Sequence, residues 1–90
     1  MMFMADLSTT MKMLDELSED RTVPRNVRTA LVKAKEDLAN DKLDVGFRVS
    51  SAISILDDVA NDINLPPYSR TQVWNVVSAL ETLNATITKK

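Results

Sequence analysis

The chain has 90 residues, enough for one small domain, and its single glycine, three prolines and abundant Ala, Leu, Val and Met are typical of a helical protein. It has neither cysteine nor histidine, so we expect no disulfides, no thiolate chemistry and no imidazole acting as a general base or metal ligand. The formal net charge is −2 with both signs mixed along the chain, which leaves no basic stripe for a nucleic-acid partner.

The longest uninterrupted apolar stretch is MMFMA at residues 1–5, which Asp6 ends. This stretch is too short for a membrane span or a signal peptide, so we expect no membrane partner and a cytoplasmic location. No segment has low complexity, and no linker separates two parts of the chain. Residues 1–90 are therefore predicted to form a single helical domain.

Four helices are predicted from apolar residues spaced three and four positions apart. They cover about residues 3–19, 24–39, 44–61 and 66 or 67 to 86. Pro24 and Pro66 are placed in equivalent first turns, of the second and fourth helices, and Asp44 at the N-cap of the third. The residues predicted to face inward are Phe3, Leu7, Met11, Leu14 and Leu17, then Val27, Ala30, Leu31, Ala34 and Leu38, then Val45, Val49, Ala52, Ile53, Leu56, Val59 and Ala60, and finally Val73, Val76, Val77, Leu80, Leu83 and Ile87.

An internal repeat organises these helices, because six residues recur identically 42 positions later without gaps. The matched pairs are Leu14/Leu56, Asp15/Asp57, Asp20/Asp62, Pro24/Pro66, Arg28/Arg70 and Thr29/Thr71. These six pairs involve residues 13–29 of the first copy, whereas two unrelated stretches of 17 residues would share about one residue. The repeat predicts two tandem αα-hairpins, at about residues 8–40 and 50–82. They can pack as a closed up-and-down four-helix bundle or as a two-repeat HEAT-like solenoid, and we favour the bundle because solenoids normally need three or more repeats.

Three segments of the chain, MLDELSEDRTVPRNVR, RVSSAISILDDVANDINLP and RTQVWNVVSALETL, carry a resemblance to a known family. They resemble an uncharacterised, UPF-series family of small archaeal proteins, and the resemblance covers nearly the whole chain. It implies an all-helical fold and an archaeal cytoplasm. It implies no activity and assigns no functional residues.

Paired carboxylates are the first candidates for chemistry. Asp15 and Asp57 recur in the repeat, with Glu16 and Asp58 beside them, and two carboxylates could hold a divalent cation or act as acid and base. Adjacent helical positions point about 100° apart, so the neighbouring carboxylates do not converge. We therefore expect a solvated helix flank, with no metal, no cofactor and no catalytic residue.

The repeated Asp and Arg residues flank the turns that join the helices. Asp20 and Asp62 are predicted to bind backbone N–H groups at the start of the following helix. Arg28 and Arg70 lie about one turn into that helix and are predicted to reach back to the acids or to the carbonyls before them. The alternative is a small-anion or small-ligand site built from the two arginines. That site would require both joints to lie at one end of the molecule and the acids to lie elsewhere.

A second apolar surface is predicted from residues that lie off the inward faces of the helices. Met13 and Ile55 are repeat-equivalent, as are Val32 and Trp74, the only tryptophan of the chain. Tryptophan is enriched at interfaces, so these four residues are predicted to form a contact between two copies. The alternative is that part of this surface joins one hairpin to the other within a single chain. The sequence thus predicts a non-enzymatic helical interaction protein or accessory subunit, a homodimer with Trp74 at or beside the contact, and a further protein partner that the sequence does not identify.

Overall fold

The computed structural model describes residues 7–88. Four helices span this part of the chain: α1 Leu7–Ser18, α2 Arg25–Ala39, α3 Val45–Ala60 and α4 Pro67–Thr88, and residues 7–88 contain no strand. The all-α prediction is confirmed, and the helix ends that can be compared lie within two residues of those predicted. The predicted start of the first helix, with Phe3, lies outside the described residues.

The helices form a closed ring. Each helix packs against the next one along the chain, and α1 also packs against α4. Within residues 7–88, no Cα atoms of the diagonal pairs α1–α3 and α2–α4 lie within 8 Å of each other. This arrangement is the up-and-down bundle and excludes the HEAT-like solenoid, in which the first and last helices would remain apart. Superposition of the two hairpins over the whole 42-residue repeat stays a prediction.

The core lies at the centre of the ring, and each helix contributes one leucine with no exposed surface: Leu14, Leu31, Leu56 and Leu80. Complete burial of a leucine contributes about 1.5–3 kcal/mol, so these four are major sources of stability. Most of the predicted inward residues are buried. Met11, Ala30, Ile53 and Leu83 are partly buried against the core, while the side chains of Leu7 and Ile87 lie outside the described set.

One residue of the predicted inward faces was assigned wrongly. Val45 was predicted to face inward, but it is 41% exposed. As the first residue of α3, it lies at the end of the bundle rather than between helices. The apolar spacing of a helix therefore overestimates burial in its first turn.

The two repeated prolines occupy equivalent positions, as predicted, but each lies one residue before its helix. Pro24 and Pro66 were predicted to lie in the first turns of α2 and α4, but each helix begins one residue later. Pro24 is the N-cap of α2, with an extended ψ of 149°. Pro66 precedes Pro67, and the residue before a proline is disfavoured from helical geometry, so α4 begins at the second proline. The carbonyls of Pro24 and Pro66 accept the backbone N–H groups of Arg28 and Arg70, both at 2.9 Å, so each proline starts the hydrogen bonding of a helix without being part of it.

Candidate functional site

The connection between α1 and α2, here called joint 1 (residues 19–24), is held by hydrogen bonds from both of its ends. Oδ1 of Asp20 accepts the backbone N–H of Thr22 at 2.9 Å and the Thr22 hydroxyl at 2.6 Å. The backbone N–H of Val23 then donates to the carbonyl of Asp20, and Val23 enters the core with 1% of its surface exposed. From α2, Nε of Arg28 donates to the carbonyl of Val23 at 3.1 Å.

These bonds favour the charged form of Asp20. The hydroxyl and backbone N–H of Thr22 lower the pKa of the Asp20 carboxyl below its ordinary value of 3.8, and the charge of Arg28 contributes less. Asp20 therefore remains a carboxylate at neutral pH. Its hydrogen-bond partner is Thr22 within the joint, whereas the sequence placed that partner at the start of α2.

The connection between α3 and α4, joint 3 (residues 61–66), has the same design. Oδ1 of Asp62 accepts the backbone N–H of Asn64 at 2.8 Å, and the backbone N–H of Leu65 donates to the Asp62 carbonyl. Arg70 reaches farther back than Arg28 does. Its Nε donates to the carbonyl of Ala60 at 3.0 Å and its Nη2 to the carbonyl of Asp62 at 2.8 Å.

The connection between α2 and α3, joint 2 (residues 40–44), shows that the design occurs three times. Oδ1 of Asn40 accepts the backbone N–H two residues on, the N–H of Leu43 donates to the Asn40 carbonyl, and Nε of Arg48 donates to the Leu43 carbonyl at 2.9 Å. Asp44 occupies the position of the two prolines and caps α3 by accepting the N–H of Gly46, as predicted.

The three joints therefore share one sequence pattern. It begins with Asp or Asn and continues with Val or Leu three residues on, Pro or Asp four residues on and Arg eight residues on. The first residue closes an Asx turn, the second enters or lines the core, the third begins the hydrogen bonding of the helix and the arginine ties the helix to the joint. Each arginine donates at least one hydrogen bond to a backbone carbonyl. The three joints are therefore repeats of one structural unit.

Joints 1 and 3 lie at the same end of the bundle, because Nδ2 of Asn26 donates to Oδ2 of Asp62 at 3.1 Å. This arrangement satisfies one of the two requirements of the anion site predicted from Arg28 and Arg70. The second requirement was that the acids lie elsewhere. The structure instead places Asp20 and Asp62 within the same joints as the arginines, where their charges oppose an anion.

A polar bridge between α2 and α3 was missed by the sequence analysis. The Asp37 carboxylate is buried, with Oδ1 2.6 Å from Nζ of Lys33 and Oδ2 accepting the Ser51 hydroxyl at 2.7 Å. The hydrogen bond from Lys33 is the main cause that lowers the pKa of Asp37 below 3.8, followed by that from Ser51. The i to i+4 spacing of Lys33 and Asp37 was visible in the sequence, but nothing in it indicated Ser51 as the third member.

The repeated carboxylates do not converge into a site. Asp15 forms an ion pair with Lys35 across α1 and α2, while Asp57 and Asp58 are exposed on α3. No group of three or more Asp or Glu side chains within residues 7–88 is arranged to hold a metal ion. None of the four helices, in their described extent, is both long and apolar enough to cross a membrane.

The four residues predicted to form an interface do not share one environment. Met13 and Ile55 are partly buried and pack against the core. Val32 and Trp74 are 38% and 47% exposed, but they belong to α2 and α4, which are not neighbours in the ring. Two other exposed apolar side chains lie close to Trp74 along the chain and were not singled out from the sequence, namely Ile63 and Tyr68.

A groove between α1 and α4, here called the α1–α4 groove, is lined in part by Met13 and Tyr68. It encloses about 190 Å³. Leu17 is buried in its wall and the Tyr68 phenol oxygen accepts a hydrogen bond from Nε2 of Gln72 at 3.0 Å. The residues that line the groove are Met13, Glu16, Leu17, Asp20, Tyr68 and Gln72.

The fold and these contacts define a small closed four-helix bundle with repeated Asx–Arg joints. Comparison with known proteins shows that the chain belongs to the uncharacterised protein family UPF0147, whose model matches residues 3–83. The resemblance to a UPF-series archaeal family is thereby confirmed. Neither the family nor the relatives described next are named for a catalytic activity.

The relatives are archaeal. A UPF0147 protein of Methanocaldococcus jannaschii is 49% identical over 69 residues, covering 77% of this chain and 74% of its own. One from Sulfurisphaera tokodaii is 38% identical over 79 residues, covering 88% of this chain and 89% of its own. The crystal structure of a UPF0147 protein from Thermoplasma acidophilum matches with a TM-score of 0.83 and 39% identity, covering 86% of this chain and 91% of that one.

Proposed function

We propose that this protein is a helical interaction module that self-associates through the outward face of α4. The observation that carries the proposal is the scarcity of charge on that face. Between residues 67 and 85 of α4, nine residues are exposed, and Glu81 is the only charged one among them. Protein interfaces are depleted of charge at their centres and enriched in Tyr and Trp, and this face carries Tyr68 and Trp74.

The other helices differ from α4 in this respect. On α2, three of seven exposed residues are charged, namely Arg25, Lys33 and Glu36. The exposed part of α3 includes both Asp57 and Asp58. The exposed face of a helix that contacts only water usually carries many charged side chains. The scarcity of charge on α4 therefore favours a contact with another protein surface. Of the four residues predicted to form the contact, the proposal keeps only Trp74, which lies on α4 and would be the central residue of the contact.

The size of Trp74 supports its place at the contact. Its side chain is 47% exposed, so a partner surface could remove a large aromatic area from water. Tyr68 and Trp74 are six positions apart, which places them about 120° apart around α4. Thr71, Asn75 and Ser78 are exposed between them and would supply the polar part of a two-fold contact.

Sedimentation equilibrium at micromolar concentration tests the proposal. We expect wild type to be a dimer and Trp74→Glu to raise the dissociation constant at least about thirtyfold, as loss of a hot-spot aromatic does. Ser50→Glu is the matched control, because it adds the same charge to an exposed position of α3. Trp74 is the only tryptophan, so its emission should also shift to the red as wild type is diluted.

A wild type that remains monomeric at the highest concentrations, or a dimer that Trp74→Glu leaves intact, contradicts the proposal. The binding of a small anion by Arg28 and Arg70 is the weaker alternative, because both arginines already bind backbone carbonyls. It requires that sulfate or phosphate raise the melting temperature more than chloride of equal ionic strength does. The role as an accessory subunit, the existence of a further protein partner and the cytoplasmic location stay predictions.

A further inference from the structure

We propose that the α1–α4 groove receives a lysine or arginine side chain from a partner polypeptide. The groove has an apolar part made by Met13 and Leu17 and an acidic part made by Glu16 and Asp20. Lysine and arginine have the complementary shape, because their aliphatic stems pack on apolar surface while their charged ends remain at the rim. None of the six residues that line the groove is a cation.

A similar interaction, in which a lysine pairs with a carboxylate beside a methionine, is present on the other side of α1. A second groove, between α1 and α2, is lined by Ser8, Met11, Lys12, Asp15 and Lys35. There, α2 supplies the cation, and the Lys35 ammonium pairs with the Asp15 carboxylate. α1 thus places a methionine and a carboxylate on each of its two flanks. The α2 flank receives a lysine of this chain, whereas the α4 flank has no such lysine within the described residues.

The acidic groups of the α1–α4 groove are available for a cation. Both donors that bind the Asp20 carboxylate meet Oδ1, which leaves Oδ2 without a hydrogen bond from residues 7–88. Glu16 is exposed and forms no ion pair in the described part of the chain. The ring of Tyr68 completes the recognition, since an aromatic face attracts a cation held near it.

The volume of the groove limits the ligand to a single side chain. About 190 Å³ is enough for the stem of one lysine or arginine and too small for a docked helix. The exposed ring of Tyr68 offers further apolar contact to residues that flank the cation. Methionine adapts its shape to different stems, so Met13 suits a surface that accepts either basic residue.

The groove shares Tyr68 with the proposed self-association face but does not include Trp74, the central residue of that face. Tyr68 lies on the flank of α4 that faces α1, about 120° around the helix from Trp74. Cation binding is therefore expected in the Trp74→Glu variant as well as in wild type. The failure of either proposal leaves the other one standing.

The test uses n-butylammonium and n-butylguanidinium as analogues of the two side chains, with n-butanol as the uncharged analogue and sodium chloride as the salt control. Amide and methionine-methyl NMR spectra are recorded during titration. We expect saturable shifts of the Met13 methyl and of the Tyr68 and Gln72 amides, with a dissociation constant on the order of 10 mM for such small probes. The Met11 methyl, on the other flank of α1, should not shift.

The variant Glu16→Gln should weaken binding of both cations about threefold, as loss of one exposed ion pair does. Glu19→Gln is the matched control, because Glu19 is exposed nearby but does not line the groove. Equal binding of n-butanol, equal shifts at Met11 and Met13, the absence of saturation, or an unchanged affinity in Glu16→Gln would each overturn the proposal.

Discussion

The two ends of the bundle use the same joint but support it differently. At the end formed by residues 19–24 and 61–66, here the proline end, two joints lie side by side and Asn26 is hydrogen-bonded to Asp62. At the end formed by residues 40–44, here the aspartate end, one joint connects α2 and α3, and Asp44 caps α3 with its side chain. The joint therefore needs neither a proline nor a second joint beside it.

The difference between the ends lies in what each adds to the common joint. The proline end buries its apolar joint residues, Val23 and Leu65, almost completely, whereas Leu43 at the aspartate end is only partly buried. The aspartate end has instead the polar bridge from Asp37 to Ser51, close to joint 2. Hydrogen bonds hold the joints at both ends, and we infer that apolar burial adds more stability at the proline end, whereas the polar bridge adds to the aspartate end.

The largest expected effect comes from removing the apolar joint residues. Leu65→Ala should lower the free energy of unfolding by about 2–4 kcal/mol, because it leaves a cavity in the core, and Leu43→Ala should cost about half as much. Urea unfolding of both variants measures the difference. Equal losses at Leu65 and Leu43 would show that the two ends contribute alike to the core.

The second-largest loss of stability is expected from replacing the three joint arginines. Arg70→Ala should lower the free energy of unfolding by about 2 kcal/mol and Arg28→Ala and Arg48→Ala by about 1 kcal/mol each, as loss of hydrogen bonds from charged donors does. The order follows from the carbonyls, since Arg70 binds two and each of the others binds one.

Arg25→Ala is the control for these variants, because Arg25 is exposed on α2. The prediction concerns the order as well as the size of the losses. If all three joint variants unfold at the same urea concentration as Arg25→Ala, the joints hold without their arginines, and the recurrence of Arg in the sequence needs another explanation.

The sequence predicted the parts of the fold that depend on local pattern. Apolar spacing located the four helices, and the match of Asp20 to Asp62 and Arg28 to Arg70 located two of the joints. The position of joint 2 and the Asp44 cap were predicted, but its likeness to the other two joints was not, because Asn40 and Asp44 stand where the others have Asp and Pro. The physical pattern, an Asx oxygen followed by an arginine eight residues on, would have found it.

The candidate site was less predictable, because it depends on which helices meet. Met13 was singled out from the sequence, but its neighbour Tyr68 is 55 positions away, and only the closure of α1 against α4 brings them to one groove. The same limit applies to the pair Asp37 and Ser51. A hydrophobic pattern gives the inward face of each helix, but not the rotation that decides which polar flanks become neighbours.

The polar bridge at the aspartate end should make stability depend on pH. Because the folded-state pKa of Asp37 is lowered below 3.8, its contribution is complete above that pH and is lost as the pH falls through the lowered value. Asp37→Asn should therefore cost about 1 kcal/mol at pH 7 and reduce the loss of stability on acidification. Asp20 has a lowered pKa as well, so part of the acid dependence should remain.

Thermal unfolding of wild type and Asp37→Asn between pH 7 and about pH 2.5 covers this range. Ser51→Ala is the companion variant, because it leaves the ion pair with Lys33 but removes the second hydrogen bond. It should produce a smaller change in the same direction. Parallel pH curves for wild type and Asp37→Asn would show that the bridge does not contribute to the aspartate end.

The smallest effect is expected at Ser69, where joint 3 departs from joint 1. The equivalent residue of α2 is Val27, and both are buried, but the Ser69 hydroxyl finds no hydrogen-bond partner within residues 7–88. Ser69→Ala removes this hydroxyl and raises helix propensity, so it should stabilise the protein by about 0.5–1 kcal/mol. Ser50→Ala on the exposed face of α3 measures the propensity contribution alone. If Ser69→Ala raises the free energy of unfolding more than Ser50→Ala does, the buried hydroxyl destabilises joint 3 in a way that has no counterpart in joint 1. If Ser69→Ala lowers the free energy of unfolding, the hydroxyl stabilises the proline end.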